Sequence, residues 1–464
     1  MEKYSSTIIF LLLSIITLGQ IPGPSTNWYF GSNAGITFNS GSPVALTNGV
    51  LTTVEGVATI SDNSGNLLFY TDGLTVYNRL HGLMTNGLGL LGDASSTQSA
   101  IIVQKPNEPN IYYIFTSDND VGPNGICYST VDMNASLGLG AVISKNNLLK
   151  TPSCEKLCAV RHCNNQDVWV ISHDWGNNTF TAWSVNSSGV GVTTSWSNAG
   201  SVINGVSQSA YGQLKSSPDG RKLAACYYGT ATGGINKVEI YDFDPATGLV
   251  TNGITLHTQL GVYGCEFSPD GKVLYAGTNQ GLLMQWNLCA GTTSQIQSSR
   301  TTISNAGPFI GSIQRGPDGK IYVARNNTSL SVINNPNVVG TGCNYSDLSI
   351  SLSGRTSRMG LPNFASFYVQ PQFILPDPII NCNQVSFSLP ISQTSNCLVV
   401  PIQYSYLWNF GDGNNSTQQN PTHGYLLPGV YNVSVTITGP CTSITLNKTI
   451  NVPPGNITVS VYTN

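Results

Sequence analysis

Apolar residues recur at every second position through most of the chain, in short runs broken by Gly, Asn, Asp or Pro. Alternation of this kind places successive side chains on opposite faces of a strand. A helical stripe of period 3.6 is nearly absent. The pattern predicts an all-β chain of short strands and tight turns.

The runs also repeat. SSPDGRKLAACYY from Ser216, FSPDGKVLYAG from Phe267 and RGPDGKIYVAR from Arg315 each set Pro-Asp-Gly between two apolar runs. Pro218, Pro269 and Pro317 stand 51 and 48 positions apart. Pro presets φ, Asp bonds back to the turn backbone and Gly accepts positive φ, so each segment is expected to be a β-hairpin. Asp219, Asp270 and Asp318 therefore read as turn residues, not catalytic carboxylates. Looser copies start at Ala58, Ala100 and Ala159, and GLPNFASFYVQP from Gly360 is a shortened one. A small residue opens each first strand: Ala58, Ala100, Ala159, Gly212, Gly264, Ser312 and Gly360, at spacings of 42, 59, 53, 52, 48 and 48. Small residues suit inner strands crowded around an axis. A period near fifty with two to four strands per unit indicates a β-propeller. Seven inner strands imply seven blades. NWYFG from Asn27 and ITFN from Ile36 are expected to complete the last one, pairing residues 27–39 with 358–371 and closing the ring.

From Pro376 to about Pro454 the pattern changes. QVSFSLP, YSYLWNFGDGNNS, NPTHGY and PGVYNVSVTIT alternate around a Trp408 core anchor and a Gly411-Asp412-Gly413 turn. About eighty residues of this kind make a β-sandwich. The expected division is a signal peptide at 1–20, propeller at 21–371, Pro-rich linker at 372–379, sandwich at 380–454 and tail at 455–464. The signal peptide rests on Lys3 before the apolar run Ile8–Leu18, with small residues before Gln20. That run is too short to span ~30 Å of hydrocarbon. No membrane span is expected after cleavage, which places the protein outside the cell or at its surface, with the periplasm as the other destination.

Composition narrows the function. Lys plus Arg number 19 and Asp plus Glu 22, together 9% of 464 residues. An average protein carries roughly 25%. No basic cluster exists to displace phosphate counterions, which excludes nucleic acid as a partner. Eleven Cys in an exported chain should partly pair. Cys289 with Cys343, and Cys441 with Cys397 or Cys382, are the candidate disulfides. Cys226 and Cys265 read as buried thiols. The run Cys154, Cys158, His162, Cys163 matches no zinc-finger spacing and is expected to form a local disulfide.

Catalytic chemistry is sparse. Only five His exist, and no nucleophile elbow, zincin helix or phosphate loop is present. His173-Asp174 reads as a loop pair. Glu55, Asp72, Asp93 and Asp118 are the candidates for a glycosidase carboxylate pair, and Glu55, just before an inner strand, could face the axis. Asp118-Asn119-Asp120 and Ser61-Asp62-Asn63 offer oxygens to Ca²⁺, but neither is an EF-hand loop and turn chemistry explains both. No cofactor is expected. The binding expectation is better supported. Residues just before inner strands gather at the propeller mouth: Glu55, Ser96, Gln98, Ser99, Gln208, Ser209, Tyr263 and Arg358. With Trp175, Trp183 and Tyr228 they suit an extracellular glycan or an envelope or surface protein, since aromatics stack while amides and hydroxyls orient.

Tyr406-x-Trp408-x-Phe410-Gly411-Asp412-Gly413, Asn420-Pro421-Thr422-His423-x-Tyr425 and Pro428-Gly429-x-Tyr431-x-Val433 resemble the PKD (polycystic kidney disease) domain. The resemblance implies an extracellular immunoglobulin-like spacer or binding module without catalysis, with Asp412 and His423 as fold residues. NWYFGSNAGITFNSG from Asn27, VEGVATISDNSGNLLFYTDG from Val54 and GLLGDASSTQSAIIVQKP from Gly89 look like the propeller ahead of PKD domains in Bacteroidota surface proteins. Many such proteins end in a sorting domain for gliding motility or type nine secretion; none is visible before Asn464. What this implies is a non-catalytic, exported binding or adhesion protein. The alternatives are a polysaccharide-active enzyme using the propeller mouth, or a component of a gliding or secretion machinery.

Overall fold

The computed structural model describes residues 22–454, apart from 231–232, 260, 306, 308, 370–374, 382, 390–403 and 440–441. The expected signal peptide, the tail at 455–464, the start of the linker and Cys382, Cys397 and Cys441 lie outside the described residues.

Residues 27–351 form a β-propeller. The first unit is a three-stranded sheet of Asn27–Phe30, Ala34–Thr37 and Val44–Leu46. Six antiparallel four-stranded units follow, with inner strands Ala58–Ser61, Ala100–Gln104, Cys158–Arg161, Leu214–Ser216, Val262–Phe267 and Ile313–Arg315. Each starts within two residues of a small residue singled out in the sequence. The second and third units are not separate sheets. A parallel bridge between Thr85 and Ala141 joins their outer strands. Residues 359–363 take the seventh axial position without forming a regular strand: Met359 N–H donates to Val54 O at 2.9 Å and Asn363 N–H to Val57 O at 2.8 Å.

Crowding at the axis explains the small residues. A Cβ on Gly360 would stand 1.6 Å from Glu55 O, and one on Gly264 2.2 Å from Gly311 O. The Pro-Asp-Gly hairpins form as expected. Asp219 Oδ1 accepts from Ser217 Oγ and the Arg221 N–H, and Asp270 Oδ1 from Ser268 Oγ and the Lys272 N–H. Asp318 likewise accepts the Lys320 N–H and, in addition, the Tyr322 hydroxyl at 2.7 Å.

Ring closure differs from the expected strand pairing. Among the described residues, 27–39 and 358–371 form no ladder. Ser32 makes one bridge to Thr356, Arg358 Nε donates to Ser32 Oγ at 2.9 Å, and Ser25 Oγ donates to Tyr368 O at 2.7 Å. Packing does the rest. Trp28, fully buried, meets Phe38, Tyr322 and Phe364 at ring-centroid distances of 5.2, 5.6 and 5.8 Å. The chain from Met359 to Asn363 bonds instead with Val54 and Val57.

The cysteine expectations need correction. Cys343 is a free thiol buried with Tyr275 and Ile333, so the Cys289–Cys343 disulfide is not formed. Cys154 and Cys158 are also free, so the run from Cys154 to Cys163 does not form the expected local disulfide. Cys154 Sγ instead lies 3.8 Å from His173 Nδ1, while the His162 ring accepts the Asn164 N–H. Cys226 and Cys265 are buried thiols.

The C-terminal unit is a sandwich of two sheets. Ile379–Asn381, Gln384–Ser386 and Thr422–Gly424 make one; Ser405–Asn409, Asn415–Ser416, Gly429–Gly439 and Thr442–Val452 make the other. Trp408 is fully buried beside Phe387, and its indole N–H donates to Gln418 O at 2.9 Å. His423 stacks on Phe410 at 4.1 Å and meets Asp412 at 2.7 Å, so both polar residues serve the fold.

Candidate functional site

Inner strands of a propeller do not fully pair with one another, so their backbone groups need other partners once buried. Polar side chains supply them here. Gln98 Oε1 accepts the Leu157 and Leu214 N–H groups, and its amide nitrogen lies within 3.1 Å of Leu157 O, Leu214 O and Asn363 Oδ1. Gln213 Oε1 accepts the Cys265 and Ile313 N–H groups. Lys156 is wholly buried. Its ammonium lies within 3.1 Å of four carbonyls, Ala210, Tyr211, Gly212 and Cys226, and 4.7 Å over the Tyr227 ring.

Above this layer the segments preceding the inner strands meet the loops between second and third strands. Here Glu55 accepts the Tyr263 hydroxyl at 2.6 Å. Burial pushes the Glu55 carboxyl up to about 8; the Tyr263 bond opposes the shift and the neighbouring Glu155 adds to it. Glu155 is fully buried and accepts the Thr97 N–H at 2.7 Å, the Thr97 hydroxyl at 2.9 Å and the Asp120 N–H at 2.9 Å. Burial pushes it up to about 7 against those bonds. Asp120 Oδ1 accepts the Ser207 and Tyr211 hydroxyls. Tyr211 stacks against Tyr228 at 5.9 Å and 28°, and both rings are half-buried. Asn279 donates to the Tyr228 hydroxyl at 2.6 Å. The rim thus joins an aromatic pair to carboxyl groups held partly protonated near neutral pH.

The residues expected at the mouth divide into two groups. Glu55 and Tyr263 are buried just under the rim and bonded to each other, Gln208 is half-buried, and Arg358 is exposed and tied to Ser32. Ser96, Gln98, Ser99 and Ser209 are buried and committed internally. Ser99 Oγ donates to Asp72 O at 2.6 Å, Ser209 Oγ accepts the Ile235 N–H at 3.0 Å, and Ser96 Oγ meets Ser117 Oγ at 3.2 Å. Trp183 is buried in the core and Trp175 is half-buried. Asp118 accepts the Asn119 and Asn124 N–H groups, and Asp62 those of Ser64 and Asn66, which is turn chemistry. His173 is buried and pushed down to about 4 by burial; its Nδ1 meets Asp174 O, while the Asp174 carboxylate pairs with Lys150 and Thr181.

Glu155, Asp120 and Tyr211 were not assigned to the mouth from sequence. Tyr211 stands immediately before Gly212 and obeys the placement rule that found Tyr263. Glu155-Lys156, adjacent opposite charges ahead of an inner strand in a charge-poor chain, was the available signal for the others.

Residues 371–452 match the PKD domain family. Collagenase ColA of Bacillus cereus is 61% identical over 33 residues, which cover 7% of this chain and 3% of that relative. The PKD1 domain from the Vibrio cholerae metalloprotease PrtV is 30% identical over 17% of this chain and 95% of its own, with a TM-score of 0.15. A protein from Lactobacillus plantarum is similar over 79% of this chain and 95% of its own, at 14% identity and a TM-score of 0.39.

Proposed function

We propose that this chain, a seven-bladed propeller carrying a PKD domain at residues 371–452, is an exported non-catalytic binding or adhesion protein of the bacterial cell envelope. PKD domains are typical of extracellular adhesion and spacer modules. The propeller mouth recognises a glycan or protein ligand, and the PKD domain spaces it or adds contacts. The observation that carries this reading is the half-buried Tyr211–Tyr228 stack beside Glu55 and Asp120. Aromatic faces cover apolar sugar or side-chain surface, and carboxyl and hydroxyl groups fix orientation. Below them the axial side chains are buried and occupied with backbone groups. Titrating bacterial and algal polysaccharides and envelope extracts against the full chain tests this. Tyr211→Ala and Tyr228→Ala should each weaken binding about tenfold, a loss larger than any fall in the unfolding midpoint explains at a temperature where both variants remain folded. Unchanged affinity in both variants would sink the reading.

One observation favours a second reading. A carboxyl titrating at about 8 beside a tyrosine, as Glu55 does, suits a general acid. A polysaccharide-active enzyme would show turnover that Glu55→Gln abolishes. The resemblance to Bacteroidota surface proteins supports a place beside gliding or type nine secretion components, which a pull-down of envelope proteins would reveal.

A further inference from the structure

Low on the propeller axis three charged side chains come from successive inner strands. They are Lys215 of Leu214–Ser216, Glu266 of Val262–Phe267 and Arg315 of Ile313–Arg315. Their side chains are 6%, 2% and 2% exposed. Arg315 Nε donates to Glu266 Oε1 at 3.1 Å; Lys215 Nζ donates to Gln314 Oε1 at 2.5 Å and stands 3.9 Å from Glu266 Oε2. Two cations thus share one carboxylate. The remaining titratable neighbours do not restore balance, because burial pushes the Cys158 thiol up to about 11 and the Cys265 thiol well above its ordinary range, leaving both neutral. An uncompensated buried charge is costly.

Two more observations point to what balances it. Arg315 Nη1 is buried without a hydrogen-bond partner among the described residues. A cavity of about 10 Å³ lies among Lys215, Ser216, Glu266, Gln314 and Arg315. That is space for one water-sized particle and too little for sulfate or a carboxylate.

We propose that this cavity binds a single monatomic anion of the halide class, chloride in ordinary media, between Lys215 and Arg315. The anion takes the free Arg315 donor, cancels the excess positive charge and lets the inner strands close around the axis. The competing resolution is a neutral Lys215, since burial and the Arg315 charge both push its ammonium down.

The test uses the full chain at constant ionic strength, exchanging sodium gluconate for sodium chloride or bromide. The unfolding midpoint should rise by about 2 °C or more by 0.2 M halide. Crystals in bromide should show an anomalous peak within hydrogen-bond reach of Lys215 and Arg315. Lys215→Met and Arg315→Met should each remove the halide dependence. If neither variant folds, the melts and diffraction on the unaltered chain still decide. A midpoint indifferent to halide overturns the proposal, whether the cavity shows no peak or shows one only at crystal concentration.

Discussion

Gln98 shows how one side chain can hold a β-ring together. It reaches three inner segments at once, through Leu157, Leu214 and Asn363. Gln98→Leu should cost about 3 kcal/mol or more, because several buried N–H and C=O groups lose their partner. Urea unfolding with an unchanged m-value would verify it; a loss under about 1 kcal/mol would contradict the spoke role. Glu55 and Glu155 predict a pH effect. Both have folded values raised above the ordinary 4.5, to about 8 and about 7, so above pH 4.5 the folded state holds more protons than the unfolded one. Stability is then fullest below pH 4.5 and falls as pH rises toward 8. His173, lowered from 6.5 to about 4, acts in the opposite sense up to pH 6.5, and the buried Lys156 and Lys215, pushed down by burial, also oppose the carboxyls, so the window from 6.5 to 8 reads the carboxyls best when the unaltered chain is compared with a carboxyl variant. Melting curves across that window should decline for the unaltered chain and less steeply for Glu55→Gln.

At the scale of elements, the hairpins were the most legible part of the chain. Pro-Asp-Gly is a local instruction: φ, side-chain acceptor and positive φ sit in three consecutive residues, and Gly220, Gly271 and Gly319 adopt φ of 70°, 72° and 77°. Closure of the ring was only half legible. The right segments were identified, but their contact is aromatic packing and single bridges, which leave no alternating signature. Trp28 carries that junction. Trp28→Ala should lower propeller stability by about 3–5 kcal/mol, read by calorimetry, with the first sheet becoming protease-sensitive. Retained protection of residues 27–46 would show that the bridges alone suffice.

Across the whole molecule, charge was put to an unexpected use. The sequence suggested that its few charges serve hairpin turns. Yet Glu55, Glu155, Lys156, Lys215, Glu266 and Arg315 are all buried around the axis. They form an acidic rim above a basic floor. The sandwich keeps its own core of Trp408, Phe387, Tyr425 and Val435. Trp408→Ala should therefore abolish one calorimetric transition, at a local cost of about 3–5 kcal/mol, and leave the propeller transition in place. Loss of both transitions together would mean that the two units unfold as one.

Period, turn chemistry and alternation, all local properties, determined the all-β class, the seven-fold repeat and the sandwich from the sequence alone. Tertiary structure decided which residues at the mouth remain available. Ser96, Gln98 and Glu155 stand before inner strands just as Tyr211 does. Only the ring's closure shows that the first three are consumed by neighbouring strands. Placement along the chain sets which end of a blade a residue occupies. Whether it meets backbone or solvent depends on segments 59 to 265 residues away, as the Gln98 bonds to Leu157 and Asn363 show.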